Sequence, residues 1–130
     1  FWLGASDTGT ETQSEGVWHW SNGELIPADF PWSPGKPNNS TGAEHCLIIS
    51  SSGYIDEPCS RKHNFVCEPR GSVICSGNYT LIADQCLSFN DISLNQSDAE
   101  NTCENMGGKL ASINIPQALL DYKKQHYSSH

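Results

Sequence analysis

The chain has 130 residues, 36% of them apolar and 9% aromatic, which suits one domain with a modest core and hardly two. Its formal net charge of −8 excludes nucleic acid and anionic membrane as main partners, because both would repel it and no basic stripe offsets the charge. Charged residues reach only 17% while Gly (11) and Pro (7) are frequent, a mixture that argues for loops carried by short elements rather than long charged helices.

In chain order, 1–6 begins as a strand carrying Trp2 and Leu3, and 7–16 is polar and turn-rich. Val17 to Trp20 reads as a short strand with Trp18 and Trp20 on one face and Val17 and His19 on the other. A long stretch without periodicity follows, 21–44, with Pro27, Phe30, Pro31, Trp32, Pro34 and Pro37. Unstructured loops of more than about 12–15 residues are uncommon and usually functional, so this one is the first place to look for a site. Residues 45–50 predict a buried strand, 51–53 a turn, and 64–68 a closing strand. The polar Pro/Gly joint at 68–72 is the linker candidate. Beyond it, 79–83 and 85–89 predict a strand pair. Ser97 with Glu100 reads as a capping box opening a helix that ends at Gly107-Gly108. A strand is expected over 109–113. A second helix is expected from Pro116, with Leu119, Leu120 and Tyr122 on overlapping faces and Lys123 and Lys124 near its end. The class is α+β. The longest apolar runs are a few residues, so neither a membrane span nor a retained signal peptide is expected.

Six cysteines occur without a Cys-x-x-Cys pair, and His45 beside Cys46 is isolated, so loop-closing bridges fit better than metal binding. Four Asn-x-Ser/Thr sequons, at Asn38, Asn39, Asn78 and Asn95, join the even cysteine count in favouring a secreted, extracellular protein. The histidines at 19, 45, 63, 126 and 130 are scattered, and neither a Gly-x-Ser-x-Gly elbow nor a phosphate loop occurs, which argues against an enzyme.

Cys75 through Cys86 resembles the opening hairpin of long-form C-type lectin-like domains. Ala99-Glu100 to Cys103, followed by Gly107-Gly108-Lys109-Leu110-Ala111-Ser112-Ile113, resembles that family's first helix and the strand after it. Phe1-Trp2-Leu3-Gly4 is similar to its core Trp-Ile-Gly-Leu strand. Trp32 to Asn39, Glu44-His45-Cys46 and Phe65-Val66-Cys67-Glu68 resemble its long loop, the following strand and the closing strand. The resemblance implies two helices, small antiparallel sheets, a long loop region and three disulfides, Cys75–Cys86, Cys46–Cys59 and the half-crossing Cys67–Cys103. It also implies that 1–130 is one domain with its halves reversed: 1–70 matches the family's C-terminal half and 71–130 its N-terminal half. Two explanations compete, a circular permutation, which is favoured, and a cut from tandem domains. Each half holds three cysteines, so at least one bridge must cross or a thiol stay free on each side. A domain-swapped dimer satisfies the same parity.

In this family a sugar typically binds through a calcium ion held by oxygen donors of the long loop. The family's pattern places Glu-Pro-Asn, a Glu and Asn-Asp around it. Here stand Lys36-Pro37-Asn38, Glu44 and Ile55-Asp56. Asn38, Glu44 and Asp56 are the metal candidates and, with Lys36, the ligand-binding set; the side chains of Lys36 and Ile55 cannot donate oxygen. An ammonium about 4 Å from a divalent cation costs about 2 kcal/mol in water and about 8 kcal/mol at an effective dielectric of 20. The resemblance therefore implies glycan recognition with a severely weakened or abolished calcium site, of mannose type if the ion binds. The rival is a calcium-independent domain for a protein ligand or a structural role. A second family calcium site would draw on Asp7 and on Glu11 or Glu15, but Gly35 and His45 supply no carboxylate there. Plainer readings exist: Asn38 and Glu44 order a loop, Asp56 caps a turn, and Lys36 and Ile55 lie on an exposed loop surface. Trp2, Trp18, Trp20 and Trp32 are expected as core and loop anchors.

Overall fold

The computed structural model describes residues 1–6, 18–20, 23–26, 30–33, 45–50, 53–69, 75, 79–83, 85–113 and 115–126. Its strands are β1 (Trp2–Ser6), β2 (His19–Trp20), β3 (Cys46–Ser50), β4 (Gly53–Glu57), β5 (His63–Pro69), β6 (Thr80–Ile82), β7 (Gln85–Leu94) and β8 (Gly108–Leu110). Helix α1 (Gln96–Asn105) lies between β7 and β8, and α2 (Pro116–His126) follows β8.

All eight strands join one sheet in the order β4-β3-β1-β5-β7-β6, with β2 on β1 and β8 on β5. The small antiparallel sheets expected above are thus continuous, and one pair, β1 with β5, is parallel through Trp2 and Phe65. The central strands are apolar on both faces because both faces are covered. Successive side chains of a strand alternate. Phe1, Leu3, Ala5, Leu47 and Ile49 enter one core, to which α2 adds Leu119. Trp2, Cys46, Ile48, Phe65 and Cys67 enter the other, to which α1 adds Ala99 and Cys103.

Strands β1, β3 and β5 come from residues 1–70 and β7 and β8 from 71–130, yet β5 pairs antiparallel with both β7 and β8. The three disulfides are Cys46–Cys59, Cys67–Cys103 and Cys75–Cys86, with Cα separations of 5.2, 5.5 and 5.3 Å. The second of them stitches β5 to α1. Tight backbone approach explains Gly108, where a Cβ would collide with the Glu68 carbonyl oxygen across the β5–β8 ladder.

Several expectations need correction. The cap of α1 is Asn95, two residues before Ser97: its Oδ1 accepts the Asp98 N–H at 2.9 Å, while Ser97 lies inside the helix. Glu100 is no capping-box partner, because its Oε2 accepts the Leu110 N–H at 3.0 Å. Helix α1 stops at Asn105, Gly107 turns the chain at φ 85°, and Gly108 opens β8, which ends at Leu110 rather than Ile113. Strand β5 runs through Pro69, so Glu68 is sheet rather than linker. Strand β7 continues five residues past Phe89, to Leu94. Val17, the turn residues 51–52, the remainder of the joint at 70–72, Asn78 and His130 lie outside the described residues.

Candidate functional site

The strand after the 51–53 turn, β4, escaped the sequence reading, and it supports the long loop. Within the 21–44 loop, ahead of residues 34–44, Phe30 is buried and Trp32 packs on the core. Ring centroids lie 5.2 Å apart for Phe30–Trp32, 5.1 Å for Trp18–Trp32 and 4.7 Å for Phe30–Tyr54, the spacing of favourable aromatic pairs. Trp32 bridges Tyr54, and the Ser33 N–H donates to the Tyr54 carbonyl at 2.8 Å. The Tyr54 hydroxyl in turn donates to the Pro116 carbonyl at 2.9 Å, locking the loop base to α2. Burial pushes this phenol well above its ordinary range, so it stays a donor. After the loop, the chain re-enters at Cys46, which pairs with Glu57. Both feet of the loop therefore stand on β4, one at Tyr54 and one at Glu57, and Ile55 and Asp56 lie between them.

Asp56 pairs with Leu47 and is 1% exposed. By strand alternation it shares the face of Tyr54, the aromatic loop base. Asp56 is thus a buried strand residue and not a turn cap. Ile55 pairs with Ile48 and packs, partly buried, against the core that holds Trp2 and the Cys67–Cys103 bridge. The expectation that Ile55 lies on an exposed loop surface is wrong, because strand pairing commits its aliphatic side chain inward. Lys36, Asn38 and Glu44 lie outside the described residues, as do Pro37, Asn39, Asp7, Glu11, Glu15 and Gly35. Among the described residues, no three His, Cys, Asp or Glu side chains converge on a metal position. Trp2, Trp18 and Trp20 are core anchors, with exposures of 0%, 8% and 5%.

At the Cys46 foot, the largely buried Glu57 meets His63 Nε2 at 2.6 Å and Arg61 at 3.4 Å. Burial holds the His63 imidazole below its ordinary 6.5, against the opposing pull of Glu57. As pH falls the unfolded chain takes up this proton first. The contribution of His63 to stability is therefore full above about pH 6.5 and declines as pH drops towards the lower folded value. Guanidine unfolding of the parent and of His63→Gln, followed from neutral to mildly acidic pH, should show a shallower loss of stability for the variant. Equal slopes would remove His63 from the account.

Local alternation in 53–57 could have flagged β4, since Tyr54 and Ile55 are strand formers behind a glycine. The acidic pair Asp56-Glu57 and the bridge-forming Cys59 hid it.

A sequence model of the family described as Lectin C-type domain matches residues 1–69. C-type lectin domain family 4 member M of Nomascus concolor is 36% identical over 69 residues, covering 52% of this chain and 16% of that protein. Perlucin of Haliotis laevigata is 39% identical over 72 residues, covering 52% and 43%. C-type lectin lectoxin-Enh3 of Pseudoferania polylepis is 35% identical over 71 residues, covering 52% and 42%. The chain thus spans less than half the length of these relatives. No solved structure matches.

Proposed function

This chain belongs to the C-type lectin domain family, a non-enzymatic one, and we propose that it recognises glycans through a loop site whose calcium position is degraded. The observation that carries this reading is the placement of both feet of the long loop on β4, with the Asp56 carboxylate between them. The ligand set is Lys36, Asn38, Glu44 and Asp56, of which Asn38, Glu44 and Asp56 would supply oxygen to an ion. Two positions do not fit that ion. Lys36 has the wrong charge, and the Ile55 side chain is aliphatic and packed against the core. If the ion does bind, Pro37-Asn38 favours mannose-type sugars.

In the same reading 1–130 is one domain in circularly permuted order. The β5 ladders with β7 and β8 and the Cys67–Cys103 bridge, all within one chain, support it. This reading takes the closed monomer, with that bridge formed inside one chain, over a swapped dimer. Three disulfides and the sequons support a secreted, extracellular, immune-type lectin. No helix among the described residues is long and apolar enough to cross a membrane.

A second reading, calcium-independent binding of a protein ligand, is favoured by the inward commitment of Ile55. Calorimetric titration of calcium into chelator-treated parent and Lys36→Glu separates the two. The variant changes the local charge by two units and restores an oxygen donor. It should bind calcium on the order of tenfold more tightly or better, with mannose-type ligands held only when calcium is present. Adding Asp56→Asn should erase the gain. Ile55→Asn is a poor companion, because a buried amide at that position costs about 1–3 kcal/mol. Equal calcium affinity in parent and variant would clear Lys36 as the obstacle. Binding by neither, together with no glycan retained with or without calcium, would hand the function to the second reading.

A further inference from the structure

The sequon Asn95-Gln96-Ser97 lies at the junction of β7 and α1 and has no place in the site above. We propose that Asn95 is an N-glycosylation site whose single carboxamide does two jobs, Oδ1 capping α1 while Nδ2 carries the glycan. The backbone at Asn95 is extended, at φ −70° and ψ 168°, and Oδ1 accepts the Asp98 N–H at 2.9 Å. An amide is planar, with oxygen and nitrogen as separate substituents of one trigonal carbon. Oδ1 on the Asp98 N–H therefore leaves Nδ2 unused by the cap. Among the described residues Nδ2 makes no hydrogen bond; Leu94, Asn95 and Gln96 are half-buried, and the residues beyond them, Asp91 to Ser93 and Ser97 and Asp98, are exposed.

The chemistry leaves the cap intact. Nδ2 forms a bond to the anomeric carbon of a lipid-diphosphate-linked oligosaccharide. The bond from that carbon to the diphosphate oxygen breaks, the diphosphate leaves with the electron pair, and Nδ2 gives up one of its two hydrogens as a proton. The product is still a planar amide, and its oxygen keeps the lone pairs that accept the Asp98 N–H. Transfer acts on the extended chain, and the helix then closes onto the same carboxamide. Six cysteines paired in three bridges suit the oxidising compartment where such donors are used. The inference is independent of whether the loop binds sugar.

Secretion of the full chain from a eukaryotic host, with peptide mapping before and after a glycan-releasing amidase, tests it. The peptide holding Asn95 should carry a glycan, and release should convert that asparagine to an aspartate, whose carboxylate still caps the helix. Ser97→Ala should lose this glycan yet melt within about two degrees of the enzymatically deglycosylated parent. Asn95→Gln, which loses the cap as well, should melt on the order of 5 °C lower. An unmodified Asn95 in secreted, fully bridged protein overturns the proposal. So does a Ser97→Ala melting point as low as that of Asn95→Gln, since the cap would then have no separate role.

Discussion

Replacing Cys67 and Cys103 together by alanine should lower the stability of the oxidised protein by about 4 kcal/mol, in the upper part of the usual range for a native bridge. The bridge closes a sequence separation of 36 residues and ties β5 to α1. In the chain-entropy account a loop of this size restrains the unfolded chain by about 4 kcal/mol. Both cysteines are 0% exposed in the core that also holds Trp2 and Leu110, so lost packing adds to the effect. The two local bridges, with separations of 13 and 11 residues, should each matter less. Guanidine unfolding measures the loss, and a non-reducing peptide map of the parent checks the pairing. Finding Cys67 and Cys103 as free thiols in folded protein would sink the proposal of one domain with reversed halves. Finding them paired between two chains would replace the closed monomer with a swapped dimer.

Trp2→Ala should cost about 4–5 kcal/mol, which for a domain of this size threatens folding altogether. Trp2 is wholly buried at the middle of the sheet, paired with Ile48 on β3 and Phe65 on β5. Its indole N–H donates to the Leu94 carbonyl at 2.7 Å, just before α1, and its ring meets His63 edge-on with centroids 5.1 Å apart. Trp2→Phe keeps much of the volume but leaves that carbonyl without its donor, a loss of about 1–3 kcal/mol. Because one side chain touches elements from both halves, hydrogen exchange in Trp2→Phe should lose protection in β1 and α1 together. Full protection of α1 with β1 weakened would mean that the halves unfold independently, and the single-core account would fail.

The two proposed functions differ at residues whose surroundings were unequally legible. Lys36 and Asn38 were read as site positions from motif alone, and so was the oxygen-free side chain of Ile55. The inward packing of Ile55 was not readable, because it depends on β3 lying alongside β4. That packing makes restoration of a calcium ligand at position 55 costly, whereas Lys36 is the simpler change.

Local pattern was enough for the α+β class, for the apolar strands β1 and β3, for the β6–β7 hairpin and for the helix opening at Pro116. Each rests on neighbours along the chain, on period-two or helical repetition, on turn residues and on proline geometry. The three disulfide pairs came from resemblance, with parity requiring only a crossing bridge or a free thiol in each half. Pairing at a distance settled the rest. Strand β4 exists because β3 lies beside it. The β1–β5 contact can be parallel because the two strands are far apart in the chain and no hairpin joins them. The cap of α1 is Asn95 rather than Ser97 because β7 delivers the chain to the helix two residues earlier than the Ser/Glu spacing implied, and Glu100 is drawn away to the β8 backbone. Burial of Asp56 is likewise a property of the sheet. A carboxylate followed by Glu57 and Pro58 carries no local sign that one loop foot will stand on each side of it.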